Sequence, residues 1–265
     1  MLENETKPTL QEVEQLAREA GKLLMTRYGK THDIKMKGEV DLVTEADHLS
    51  EELILGHIKK NHPQHSVISE ESGSNHILSD HKWYIDPLDG TVNFAHGIPM
   101  FCVSIAYAFR EKLHLGVVYD PSRDECFSAD LNKGAWLNGH PIQVSKTKDL
   151  IQSLVVTGFP YKQDENHITN LEHYSYFSLK TRGVRRLGSA AIDLVYVASG
   201  RLDAYWELDI NAWDIAAGCL IASEAGAIVT DAKGQPLLFP EISSVLVANP
   251  FLHSDVLQVL LQAPE

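Results

Sequence analysis

At 265 residues, with 44% hydrophobic and 22% charged content, the chain is long enough for one large domain or two small ones and has the composition of a globular protein. Its 23 Lys and Arg against 36 Asp and Glu leave a net charge of −13, which argues against nucleic acid or an anionic membrane as main partner, because such polyanions demand basic stripes. Cys102, Cys126 and Cys219 are widely spaced, with no CxxC pair and no secretory segment, so they read as reduced core residues of a cytoplasmic protein, and no apolar run approaches the roughly eighteen residues of a membrane span.

In chain order, Thr9-x-x-Glu12 is a capping-box pattern, and Leu10, Val13, Leu16, Ala17, Ala20, Leu23 and Leu24 recur at helical spacing until Gly29. A structural first helix is predicted there. After a polar loop, Asp41-Leu42-Val43-Thr44-Glu45-Ala46-Asp47 opens a second helix carrying Leu49, Leu53, Ile54 and Ile58, which stops before Pro63. Thr44 and Asp47 form another capping box, so Asp47 reads either as a cap or as a catalytic carboxylate. Ser66-Val67-Ile68-Ser69 then reads as a short strand running into Glu70-Glu71-Ser72-Gly73. Acidic pairs at strand ends are mostly solvated, and that plainer reading stays open for Glu70.

Trp83-Tyr84-Ile85-Asp86-Pro87-Leu88-Asp89-Gly90-Thr91 is the stretch around which the chain is organised. An apolar run of strand formers ends in two carboxylates, a glycine and a hydroxyl, so a buried strand is expected to deliver acid groups to an exposed turn. Pro87 fixes φ and lacks an N–H, and Asp89-Gly90 signals a turn, so Asp86, Asp89 and the Leu88 carbonyl can converge on one point. Hard divalent cations take such oxygen donors, although an Asp-capped turn would leave the same signature. From Phe101 to Ser145 the pattern is an antiparallel meander, with turns at Glu111-Lys112, Pro121-Ser122-Arg123-Asp124 and Asn138-Gly139.

Beyond Lys146 strand and helix alternate, with strands over 154–157, 184–187, 202–206, 228–230 and 245–247 and helices over 189–199, from Trp213 to Ala225-Gly226, and from about His253. A soft boundary near residue 146 divides a lobe over 1–146, with antiparallel sheet and most candidate metal ligands, from a lobe over 147–265, the two making one structural unit. Glu70, Asp86, Asp89 and Asp214 all lie at ends of predicted elements, where side chains from different segments can meet. Two like charges about 4 Å apart repel by roughly 4 kcal/mol at an effective dielectric near 20, so such a cluster needs metal, protons or water to persist. Asp214 also reads as an N-cap of its helix, Gly188-Ser189 as a helix cap, and Glu207 as a solvated strand end. Gly90 and Thr91 begin a segment whose backbone donors could hold a phosphate.

Residues 83–96, W-Y-I-D-P-L-D-G-T-V-N-F-A-H, and 213–227, W-D-I-A-A-G-C-L-I-A-S-E-A-G-A, resemble the two signature stretches of the inositol monophosphatase family of magnesium-dependent, lithium-sensitive phosphatases. Residues 41–47 and Glu70-Glu71-Ser72 also look like that family's, in the expected order, and the resemblance covers nearly the whole chain. It implies a layered αβαβα sandwich of mixed α+β and α/β character, of the type shared with fructose-1,6-bisphosphatase. It further implies a cytoplasmic homodimer that hydrolyses inositol 1-phosphate or a similar small monoester with two or three Mg²⁺ per subunit. Carried over residue by residue, Glu70, Asp86, the Leu88 carbonyl, Asp89 and Asp214 would hold metal, with Glu70, Thr91 and Asp47 serving catalysis. Asp89, Gly90, Thr91, Gly188, Ser189, Ala190, Glu207 and Asp214 would contact substrate. Where animal members often carry histidine three residues before the last metal aspartate, this chain has Asn211, which leaves histidinol phosphate, fructose bisphosphate, phosphoadenosine phosphate and nicotinamide dinucleotide phosphate as alternative substrates. An Mg²⁺-dependent regulatory protein acting through its dimer surface is the alternative of another class. Arg182, Arg185 and Arg186 read as a solvated face, a dimer surface or an anion site.

Overall fold

The computed structural model describes residues 7–30, 35–36, 42–160, 170–237, 239 and 242–262; Asp41, at the head of the second predicted helix, lies outside them. Helix α1 (Leu10–Arg27) starts at Thr9, whose hydroxyl accepts the Glu12 N–H while Glu12 reaches back to the Thr9 N–H, and it buries Val13, Leu16, Ala17, Ala20 and Leu24 along one stripe. A ribbon of β1 (Lys35–Met36) and β2 (Leu42–Val43) leads to α2 (Glu45–Asn61). Next come β3 (Ser66–Ser69), β4 (Gly73–Ser74), β5 (His81–Asp89) and the short α3 (Thr91–Ala95). The predicted meander follows as β6 (Cys102–Phe109), β7 (Lys112–Asp120), β8 (Glu125–Asp130), β9 (Gly134–Leu137) and β10 (His140–Pro141). The rest is β11 (Leu154–Thr157), α4 (Leu171–Lys180), β12 (Gly183–Arg185), α5 (Ala190–Ala198), β13 (Ala204–Asn211), α6 (Ala212–Glu224), β14 (Ile228–Thr230), β15 (Ile242–Ala248) and α7 (His253–Gln262).

These elements stack in five layers, α-β-α-β-α, so the fold is the layered sandwich expected above. The first sheet runs β10-β9-β8-β7-β6-β5-β3-β4, antiparallel except where β3 lies parallel to β5, and the second runs β12-β11-β13-β15-β14 with β11 parallel to both its neighbours. Helices α1 and α2 cover the outer face of the first sheet through a core of Leu16, Ile54, Trp83, Phe94 and Tyr107. On the outside of the second sheet, α4 and α7 pack Phe177 and Val256 against Trp206 and Leu246. Between the sheets lie α5 and α6, and α6 buries every residue from Ile215 to Ala222, as a helix with β-structure on both flanks must. Its approach depends on Gly116 in β7, where an added Cβ would stand 2.8 Å from the Ala217 carbonyl oxygen.

Two departures from the predicted elements bear on function. The strand expected over 202–206 extends to Asn211, because β13 pairs with β15 beyond a bulge between Glu207 and Ile210. Glu207 is therefore a half-buried residue within a strand and not a solvated strand end. Likewise the strand expected over 184–187 stops at Arg185, which frees Leu187 and Gly188 for a turn into α5.

Candidate active site

Parallel pairing decides where the acids go. Register places Ser69 beside Ile85, so the residues that follow, Glu70 just past β3 and Asp86 within β5, lie side by side, and the Glu70 N–H donates to the Ile85 carbonyl at 3.1 Å. Asp86 and Asp89 flank an irregularity in the pairing of β5 with β6, where Pro87 contributes no N–H to the ladder. The Leu88 N–H closes back onto Asp86 Oδ1 at 3.0 Å, and Ser50 Oγ donates to the Pro87 carbonyl at 2.8 Å. The expected exposed turn is corrected here: Asp86 is 2% and Asp89 8% exposed, and the chain turns only at Gly90, whose φ of +90° suits glycine. A Cβ at position 90 would also lie 2.8 Å from the Met100 carbonyl oxygen.

Four helices, α2, α3, α5 and α6, begin at this place, and each contributes a residue of its first turn. Asp47 serves two purposes at once. Its Oδ2 accepts the Thr44 N–H at 2.8 Å and the Thr44 hydroxyl at 2.6 Å, capping α2, while Oδ1 faces the Thr91 hydroxyl at 2.9 Å. Asp89 Oδ2 accepts the Ser189 hydroxyl at 2.6 Å and the Ala191 N–H at 2.7 Å, which locks the start of α5 to the end of β5. Ser189 is indeed the N-cap of α5, accepting the Ile192 N–H at 3.4 Å, so capping and contact with Asp89 coexist. Asp214 is not the N-cap of α6: Asn211 holds that position, and Asp214, three residues on, accepts the Asn211 N–H through Oδ2 at 3.1 Å.

Glu70, Asp86, Asp89 and Asp214 act on one another electrostatically. Burial, then Glu70, Asp89 and Asp214, hold the Asp86 carboxyl well above the usual carboxylate range; burial, Glu70 and Asp89 do the same to Asp214. Asp89 is raised mainly by burial, against the hydrogen bonds from Ser189 and Ala191. The donor set is all oxygen, the type that hard divalent cations take. Among the described residues no group of three or more His, Cys, Asp or Glu side chains is placed so that it could hold a metal ion as it stands. Beside the carboxylates lies a cavity lined by Asp89, Gly188, Ser189, Ala190, Glu207 and Asp214, so the predicted Gly188-Ser189-Ala190 segment and Glu207 meet the acids there. Burial pushes Glu207 up to about 7, and the Tyr205 hydroxyl donates to its Oε2 at 2.6 Å. Of the three arginines read as a cluster, Arg186 is the one that lines this cavity.

Sequence reasoning passed over three supporting residues. Glu51, 5% exposed, accepts hydrogen bonds from the Ser69 hydroxyl and from the Ser72 N–H and hydroxyl, and so clamps the turn bearing Glu70. Asn93 donates through Nδ2 to the Met100 and Leu187 carbonyls, both at 2.8 Å, tying α3 to the turn before α5. Asp193, in α5, also lines the cavity. Only Asp193 left a visible signal, a carboxylate amid A-A-I-x-L-V-Y-V-A.

A family model described as the inositol monophosphatase family matches residues 5–265. The chain is 46% identical over 250 residues to the inositol-1-monophosphatase of Synechocystis sp., covering 93% of this chain and 86% of that protein. It is 43% identical over 227 residues to a Pseudomonas aeruginosa protein named Nus factor SuhB, covering 82% and 83%. Among solved structures, the inositol monophosphatase of Anabaena (Nostoc) sp. superposes with a TM-score of 0.87 at 39% identity, covering 96% of each chain.

Proposed function

We propose that this chain, which belongs to the inositol monophosphatase family, is a Mg²⁺-dependent phosphatase that hydrolyses inositol 1-phosphate or a similar small phosphate monoester. The observation that carries this reading is the meeting of four mutually repelling carboxylates with a hydroxyl held by a buried aspartate. Glu70, Asp86, Asp89, Asp214 and the Leu88 carbonyl would hold two or three Mg²⁺. When bound, the ions supply Lewis-acid polarisation of the phosphoryl group and lower the pKa of water.

The remaining work falls to the chain's own groups. Thr91 Oγ1 stands 2.9 Å from both Asp47 Oδ1 and the Leu88 carbonyl, so its single proton is directed inward. Only lone pairs then face outward, and a water beside Thr91 must donate to it, which turns the water's own lone pair toward the ester. Asp47 keeps that orientation because its second oxygen is fixed by Thr44. The N–H groups of Gly90 and Thr91, at the start of α3, hold the phosphate. Glu207 and the Gly188-Ser189-Ala190 turn receive the alcohol.

We further propose a homodimer working in the cytoplasm; the three cysteines, all free and buried, agree with a reducing compartment. No helix among the described residues is long and apolar enough to cross a membrane. A second reading, a regulatory protein that retains the site, draws on the relatives named Nus factor SuhB. Phosphate release from myo-inositol 1-phosphate separates the two. Turnover that requires Mg²⁺, stops with chelator and is inhibited by millimolar Li⁺ supports the phosphatase. Turnover indifferent to chelator, or none at all, refutes it.

A further inference from the structure

Besides the metal-site carboxylates Asp89 and Asp214, the cavity is lined by Asp193, Glu207, Asp209 and Arg186. Asp193 is out of character with its helix, whose other buried residues are Ala191, Ile192, Leu194, Val195, Val197 and Ala198. It is 1% exposed, and its Oδ1 has no hydrogen-bond partner among the described residues. A carboxyl buried without a donor is costly, and an apolar helix has no structural use for one. Its position agrees with a role toward a ligand. Burial, then Glu207 and Asp89, raise its pKa while Arg186 lowers it, so Asp193 lies within reach of the charged groups of the cavity. Glu207, for its part, already has a donor in the Tyr205 hydroxyl. Asp193, Glu207 and Asp209 thus bring three carboxyls to the cavity against the single guanidinium of Arg186. Such a lining disfavours a ligand with a second phosphate and suits one that brings hydroxyls.

We propose that Asp193 selects the alcohol half of the substrate: its carboxyl accepts a hydrogen bond from a second hydroxyl of the alcohol, so the site prefers phosphate esters of polyols to esters that lack such a hydroxyl. The inference rests on the phosphatase reading above. Steady-state kinetics of the full chain with Mg²⁺ test it on two esters, myo-inositol 1-phosphate and 4-nitrophenyl phosphate, which has no hydroxyl. Asp193→Ala is expected to raise KM for the inositol ester on the order of tenfold or more, with its kcat and both constants for the nitrophenyl ester within about twofold. Asp193→Asn keeps the shape but turns one acceptor oxygen into a donor, so it should raise KM for the inositol ester by a smaller factor, roughly threefold, with the nitrophenyl constants unchanged, and it decides the matter if thermal melts show the alanine variant unfolded. Parallel losses on both esters, the mark of a purely structural residue, overturn the proposal. So does an unchanged KM for the inositol ester. Failure of the phosphatase reading has a different signature, because the unsubstituted protein would then hydrolyse neither ester.

Discussion

Asp86→Asn tests the proposed metal site through stability, without relying on turnover. Asparagine has the shape of aspartate and its Oδ1 can still accept the Leu88 N–H, so the turn persists while one negative charge leaves the cluster. Burial and the charges of Glu70, Asp89 and Asp214 raise the Asp86 pKa in the folded protein, so with chelator present its ionisation weakens the fold. The sign follows from linkage: the penalty is absent below about pH 4, where the unfolded chain also holds the proton, and grows as pH rises. Each like-charge pair near 5 Å costs roughly 3 kcal/mol at an effective dielectric of 20. Uptake of a proton limits the total, however, to about 4 kcal/mol at pH 7, some three pH units at about 1.36 kcal/mol each. Asp86→Asn should therefore stabilise the chelated protein by about 1–3 kcal/mol, raising Tm by roughly 3–10 °C at pH 7 and hardly at pH 4. With Mg²⁺ the wild type gains about 2.7 kcal/mol per site at a hundredfold excess over Kd, whereas the variant, lacking a ligand, gains less and its advantage shrinks or reverses. Thermal melts of both proteins, with chelator and with excess Mg²⁺ at the two pH values, decide it. If Asp86→Asn lowers Tm in chelator and keeps the full Mg²⁺ shift, Asp86 is a turn residue and the metal assignment is wrong. Asp89→Asn would not be equivalent, because Asp89 Oδ2 receives both the Ser189 hydroxyl and the Ala191 N–H and its loss would also loosen α5.

Asp47→Asn replaces one acceptor oxygen by an amide donor, so it cannot serve Thr44 and Thr91 together; calorimetry should show a loss of about 1–2 kcal/mol, and kcat should fall tens-fold or more. If Tm falls while kcat holds, Asp47 is only a cap. Gly116→Ala drives a methyl into the Ala217 backbone and should cost about 1–3 kcal/mol in chemical denaturation, with reduced kcat because α6 carries Asp214. His65, stacked on His62 and His81 and accepting the Trp83 indole N–H, is pushed down to about 4, chiefly by burial and then by His81 and His62. Its contribution is thus complete above about pH 6.5 and is lost as pH falls toward 4, at most about 3 kcal/mol. Melts over that range should show a shallower pH dependence for His65→Gln than for the wild type, and equal slopes would refute the assignment.

Much of this protein is legible locally. Thr9 and Thr44 announce α1 and α2 because a capping box and a 3.6-residue stripe are contained within one helix. The same holds for the run from Trp83 into Asp89-Gly90, where strand formers, a proline and a left-handed glycine lie in sequence. The motifs at 83–96 and 213–227 were enough to indicate the family, since they keep their residues together in the chain. Tertiary structure decided how those pieces meet. Asp214 sits at the third position of α6 because β13 continues to Asn211 along β15, a partner that begins more than twenty-five residues later. Asp47 caps α2 and also reaches Thr91 because its two oxygens face different segments, Thr44 on its own helix and Thr91 across the site. Glu51 and Asp193 stayed unread for the same reason, their meaning lying in the Ser69–Ser72 turn and in the cavity wall beyond their own helices. Periodicity and turn chemistry report interactions a few residues long, whereas the site depends on the parallel register of β3 with β5 and on the packing of α6 against Gly116, contacts between segments far apart in the chain.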